Sequence, residues 1–138
     1  MDISQAREYI ARLDALAEHR AVPFSPERSM RWRVFGKGEP VVLIHGGHGS
    51  WLHWIRNIEA LANDHRVLVP DLPGFGDSHD LPPGSGMQDM VDAVIASLHS
   101  LLGGRVAIGL AGFSFGAAVS ARIAVRRAAI RAVDWLIG

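Results

Sequence analysis

The spacing of hydrophobic positions changes along the chain. Over residues 3–19, Ile3, Ala6, Ile10, Leu13 and Ala17 recur at helical spacing, while Arg7, Glu8, Arg12, Asp14 and Glu18 take the other faces. That pattern predicts an amphipathic helix, with Asp2 and Gln5 at capping-box spacing at its start. Such a helix either binds a partner or packs on its own domain, and packing is its ordinary use. Pro23 and Pro26 then mark an irregular connection. Residues 1–26 therefore read as an N-terminal helix and linker, ahead of a domain spanning 27–138.

Past that point strand patterns alternate with helical ones. Arg31–Phe35 alternates like a strand, Gly36-Lys37-Gly38 makes a turn, and Val41–Ile44 is a continuous apolar run, as in a strand covered on both faces. Trp51–Ala62 reads as a helix, Val67–Val69 as a second buried strand, and Pro70–Gly86 as loop. Met87–Leu102 is helical up to Gly103-Gly104, and Val106–Ala111 is a third buried strand. Phe115–Arg127 is a helix with an Ala-rich face, and Ile130–Ile137 a fourth buried strand. Alternation of this kind implies an α/β fold, a mostly parallel sheet with helices on both faces. Ligands in such sheets bind beyond the carboxyl ends of the strands. Three loops lie there: His45–Ser50, Asp71–Ser78 and Gly112–Gly116.

Composition narrows the chemistry. The 138 residues are enough for one domain. Fourteen Lys and Arg balance fourteen Asp and Glu, for a net charge of zero, which gives no reason to expect a nucleic-acid or anionic-membrane partner. The absence of cysteine excludes disulfides, thiolate metal sites and a cysteine nucleophile. No apolar run approaches the roughly 18 residues a membrane span needs. The first residues also lack the basic and apolar blocks of a signal peptide. The expectation is a soluble cytoplasmic protein.

Of the three loops, the last carries the strongest signal. Gly112-Phe113-Ser114-Phe115-Gly116 lies between a buried strand and a helix, the setting of a nucleophile elbow. A sharp strand-to-helix turn pushes the central hydroxyl outward, and side chains two residues before and after it would strike neighbouring backbone, hence Gly112 and Gly116. The same turn brings the Phe115 amide to a helix N-terminus, where partial positive charge gathers. The first loop, His45-Gly46-Gly47-His48-Gly49-Ser50, follows its strand where an oxyanion hole takes a second amide. Each such donor is worth about 3 kcal/mol.

With HGGHGSW after one strand, DLPGFGDS after the next and GFSFG after the third, the chain resembles the α/β-hydrolase family from about residue 30 onward. The resemblance implies Ser114 as nucleophile and the amides of Gly47 and Phe115 as oxyanion hole, with His45, Gly46, His48 and Trp51 lining the site. Which amide of the Gly46–His48 turn points inward stays open. It implies that His45 organises the loop and that DLPGFGDS is a structural turn. It also implies a small-molecule acyl substrate and no cofactor. Epoxide hydrolases and dehalogenases of the family use a carboxylate where this chain has Ser114. In the family the catalytic acid and then a histidine follow the nucleophile, whereas only Asp134 and no histidine follow Ser114 here. The chain therefore reads as the N-terminal half of a serine hydrolase, inactive by itself, with a hydrophobic sheet edge at 130–137 open to self-association.

Three other readings compete. A non-catalytic or degenerate hydrolase-fold fragment is consistent with the missing histidine. A dinucleotide-binding oxidoreductase is imitated by strand 41–44, the Gly-rich turn and Asp71, but Leu52 stands where the fingerprint needs glycine. His45, His48 and His53 could be taken as a metal cluster, yet their spacing fits no single helical face and no carboxylate lies among them. No metal site is expected.

Overall fold

A computed structural model describes residues 1–103, 105–126 and 135–137, the last three as backbone only. Helix α1 (Ile3–Leu16) opens the chain with the expected capping box, Asp2 accepting from the Gln5 amide and Gln5 from the Asp2 amide. The helix stops at Leu16 because Glu18–Ser25 is drawn into the sheet as strand β1, paired antiparallel with β2 (Arg28–Phe35). The expected linker over these residues is thus corrected to an edge strand. Pro23 is tolerated there because one side of an edge strand owes no ladder hydrogen bond, and the register shifts between Pro23 and Ser25.

β3 (Glu39–Ile44) is followed by a single 3-10 turn, Trp51–Trp54, and a short α2 (Ile58–Ala62). The one helix expected over 51–62 is therefore two pieces. Ser50 caps the first through the Leu52 amide, while the Trp51 amide is committed to Asp71. Next come β4 (His65–Pro70), α3 (Met87–Leu102), β5 (Gly109–Phe113), α4 (Phe115–Arg126) and β6 (Trp135–Ile137). The third expected strand thus runs later than the apolar run suggested. Of the fourth, residues 130–134 lie outside the described residues, as does Asp134.

Among the described residues six strands form one sheet in the order β1-β2-β4-β3-β5-β6. It is parallel from β4 through β3 and β5 to β6, and antiparallel across β1, β2 and β4. Alternate residues of β2, β3, β4 and β5 feed opposite cores. Met30, Trp32, Val34, Val42, Ile44, Leu68 and Leu110 pack under α3 and α4. Phe35, Leu43, Val67, Val69 and Ala111 pack with Leu13, Trp51, Trp54 and Ile58 on the other face. The amphipathic α1 thus packs on its own domain, through Leu13 with Tyr9 and Ile10 beside it. A buried polar contact fixes α3 on β2, the Trp32 indole N–H donating to Ser97 Oγ at 3.1 Å.

The chain crosses from β3 to β4 on one face, then from β4 to β5 through α3 on the other. That change of direction leaves a crevice at the carboxyl ends of β3 and β5, where Ile44 pairs with Gly112.

Candidate functional site

The crevice gathers all three loops named from sequence, because β4, β3 and β5 are neighbours running the same way. Ser114 stands between β5 and α4 with φ 56°, a left-handed conformation rare for a residue with a side chain. Its side chain is exposed. The two flanking glycines are required by contact: a Cβ on Gly112 would strike the Gly116 carbonyl, and one on Gly116 would strike the carbonyls of Ile44 and His45. The elbow is thereby pressed against the end of β3. Phe115 begins α4, where the first amides have no intrahelical acceptor. Across the crevice, Gly47 comes close enough that a Cβ there would lie 3.7 Å from Phe115 Cβ.

The first loop is held by imidazoles. His45 is fully buried, and its Nε2 accepts the Leu72 amide at 2.9 Å, so the ring proton sits on Nδ1 and is given to the Gly46 carbonyl at 2.7 Å. Burial pushes the His45 imidazole below its usual range. The Gly46 carbonyl and the Asp71 charge pull upward without reversing this, and His53 adds to the lowering. With both ring nitrogens engaged, His45 ties the Gly46 carbonyl to the Leu72 amide. His53 Nδ1 accepts the Gly46 amide at 3.0 Å, which removes that amide from the oxyanion candidates. Among the described residues no hydrogen bond engages the amides of Gly47 or His48. His48 is exposed and takes φ 59°.

The second loop is structural at its first residue. Asp71 is buried, its Oδ1 accepting the Trp51 amide at 2.9 Å and its Oδ2 the Asp77 amide at 3.0 Å. Arg33, also buried, donates to Asp71 Oδ2 at 3.2 Å, Asp77 Oδ2 at 2.9 Å and Asp14 Oδ1 at 2.7 Å, with its guanidinium 4.6 Å from the Trp51 ring centre. Burial works against that charge, yet the bonds to Asp14 and Asp77 and the charge of Asp71 outweigh it and hold Arg33 more firmly protonated than usual. Asp71 is thus engaged by its own loop, the Trp51 amide and Arg33, and the ribose-holding role of the oxidoreductase reading finds no support in these contacts. Trp51 is a core residue stacked on Phe35 at 6.3 Å and does not line the site openly.

Sequence reasoning singled out Ser114 and the glycines, named His53 only within a possible metal cluster, and did not single out Arg33. Arg33 looked like the polar half of an alternating strand. The spacing of His53 gave no hint that it accepts the Gly46 amide. Among the described residues no hydrogen bond joins Ser114 Oγ to a histidine, and no group of three His, Asp or Glu stands close enough to hold a metal ion. No described helix is long and apolar enough to cross a membrane.

Comparison with known proteins agrees with the fold. The family model described as alpha/beta hydrolase fold matches residues 39–133, and the chain belongs to that family. The (E)-2-((N-methylformamido)methylene)succinate hydrolase of Acinetobacter baylyi is 34% identical over 108 residues, 78% of this chain and 40% of that protein. A soluble epoxide hydrolase of a Corynebacterium species is 35% identical over 91 residues, 66% of this chain and 31% of its own length. Among solved structures, the epoxide hydrolase VrEH1 from Vigna radiata superposes with TM-score 0.71 at 29% identity, covering 82% of this chain and 37% of that one. The chain thus spans less than half the length of these relatives.

Proposed function

We propose that this chain carries the nucleophile and oxyanion hole of a serine hydrolase that cleaves an ester or other acyl bond of a small molecule. The observation that carries this reading is Ser114, held at positive φ between β5 and α4 and facing the Gly47 turn across the crevice. Ser114 Oγ attacks the carbonyl carbon and gives up its proton to a base. The carbonyl π electrons move onto oxygen, where the amides of Gly47 and Phe115 receive the charge. Collapse expels the leaving group with a proton, and water then cleaves the acyl-serine ester. Each amide contributes about 3 kcal/mol to that transition state.

The side chain at the elbow selects among the chemistries of the relatives. A carboxylate opening an epoxide gives an ester that water can hydrolyse. A serine oxygen opening an epoxide gives an ether that water does not cleave under the same conditions. Ser114 therefore fits acyl transfer, and epoxide opening is not proposed for this chain. Because no histidine reaches Ser114 among the described residues, the 138 residues alone are proposed to turn over poorly. They keep the share due to oxyanion stabilisation and binding, about 10³ to 10⁴-fold over water in a triad enzyme stripped of its base.

That same missing contact favours a second reading, a hydrolase fold used without catalysis. A fluorophosphonate probe separates the two. Slow, selective modification of Ser114, absent in Ser114→Ala, supports the hydrolase reading; no modification after prolonged exposure supports the non-catalytic one. Labelling at the speed of a complete triad enzyme would overturn the proposed inactivity of the chain.

A further inference from the structure

We propose that His53 is a positioning residue for the oxyanion hole, holding the Gly46–Gly49 turn so that the Gly47 amide stays open toward Ser114. The inference rests on the reading of Ser114 given above. One imidazole touches both halves of the site. Its Nδ1 accepts the Gly46 amide at 3.0 Å, the residue next to the proposed donor. Its ring covers Gly49 so closely that a Cβ there would overlap the ring and force it to shift. On the other side the ring stands edge-on to Phe113 at 5.2 Å, the residue preceding the nucleophile.

These contacts set the direction of the loop. A free Gly46 amide would compete with Gly47 for the developing oxyanion or let the turn rotate about its glycines. With Gly46 N–H engaged, the next amide is the one presented. The acceptor is His53 Nδ1, and His45, edge-on to it at 6.0 Å, has both of its own ring nitrogens already engaged.

The test is the rate at which a fluorophosphonate modifies Ser114 in the 138-residue chain, followed by intact mass, in the unmodified protein, His53→Phe and His53→Asn. Phenylalanine keeps a ring against Gly49 and Phe113 but has no acceptor. Asparagine loses the ring but places Oδ1 where Nδ1 stood. Complete loss of one oxyanion donor costs about 10² to 10³-fold, so a loosened turn is expected to slow His53→Phe about tenfold or more. His53→Asn is expected to recover most of that loss. A packing role would give the reverse order, and that order overturns the proposal. Equal labelling in all three proteins sinks the His53 role and leaves Ser114 standing. No labelling in any of them removes the Ser114 reading and the positioning role with it.

Discussion

Arg33 Nη1 lies 3.2 Å from Asp71 Oδ2, and both side chains are almost wholly out of solvent. Through this pair, strand β2 holds the loop after β4, and Asp71 in turn holds the Trp51 amide beyond the loop after β3. The site is therefore braced from a strand that contributes nothing to its chemistry.

Removing the cation should leave a buried carboxylate uncompensated. Arg33→Met is expected to cost roughly 3–5 kcal/mol of folding stability, measured by urea denaturation. The outer carboxylates are much more exposed, Asp14 at 38% and Asp77 at 57%. Solvent screening limits their worth, so Asp77→Asn is expected to cost about 1 kcal/mol or less. Equal losses in the two variants would show that the buried pair is not what matters.

The elbow glycines should tolerate nothing larger. Gly116→Ala drives a methyl into the carbonyls of Ile44 and His45, backbone that cannot yield without opening β3 from α4. A loss of about 3 kcal/mol or more is expected. Gly86 has open space around its Cβ position and stands at the N-cap of α3. Gly86→Ser is therefore expected to stay within about 0.5 kcal/mol of the unmodified chain. Paired thermal melts of the two variants check the contrast.

His45 ties stability to pH. Burial lowers its folded-state pKa below the ordinary 6.5, so the unfolded chain binds the proton more readily. The contribution is complete above about pH 6.5 and is lost as pH falls from there toward the lowered folded value. His45→Gln offers the Leu72 amide an acceptor that does not titrate. It is expected to be less stable at neutral pH by about 1–3 kcal/mol, with a shallower fall on acidification. Urea midpoints across this range measure both, and an unchanged slope would argue against a neutral, buried His45.

The parts of the fold and site legible in the sequence were those governed by short-range rules. Continuous apolar runs marked β3 and β4, and glycines two residues either side of Ser114 announced a turn that only close backbone contact demands. Helix α3 was readable to the residue because its period runs unbroken to Gly103. β1 was hidden because prolines near residues 23–26 look like linker, and edge pairing is decided by β2. The Trp51–Ala62 helix was overread because its apolar spacing continues through residues 55–57, where the structure has a turn between the 3-10 piece and α2. Arg33 was missed because its partners Asp14, Asp71 and Asp77 come from other elements, and nothing in its own neighbourhood signals them.

The most direct test of the central claim is to watch the two proposed oxyanion donors when Ser114 is phosphonylated. In amide NMR spectra of the adduct, the Gly47 and Phe115 N–H protons are both expected to move downfield as they take up the phosphonyl oxygen. If those two signals stay in place while Ser114 carries the phosphonate, the hole is not where the account puts it.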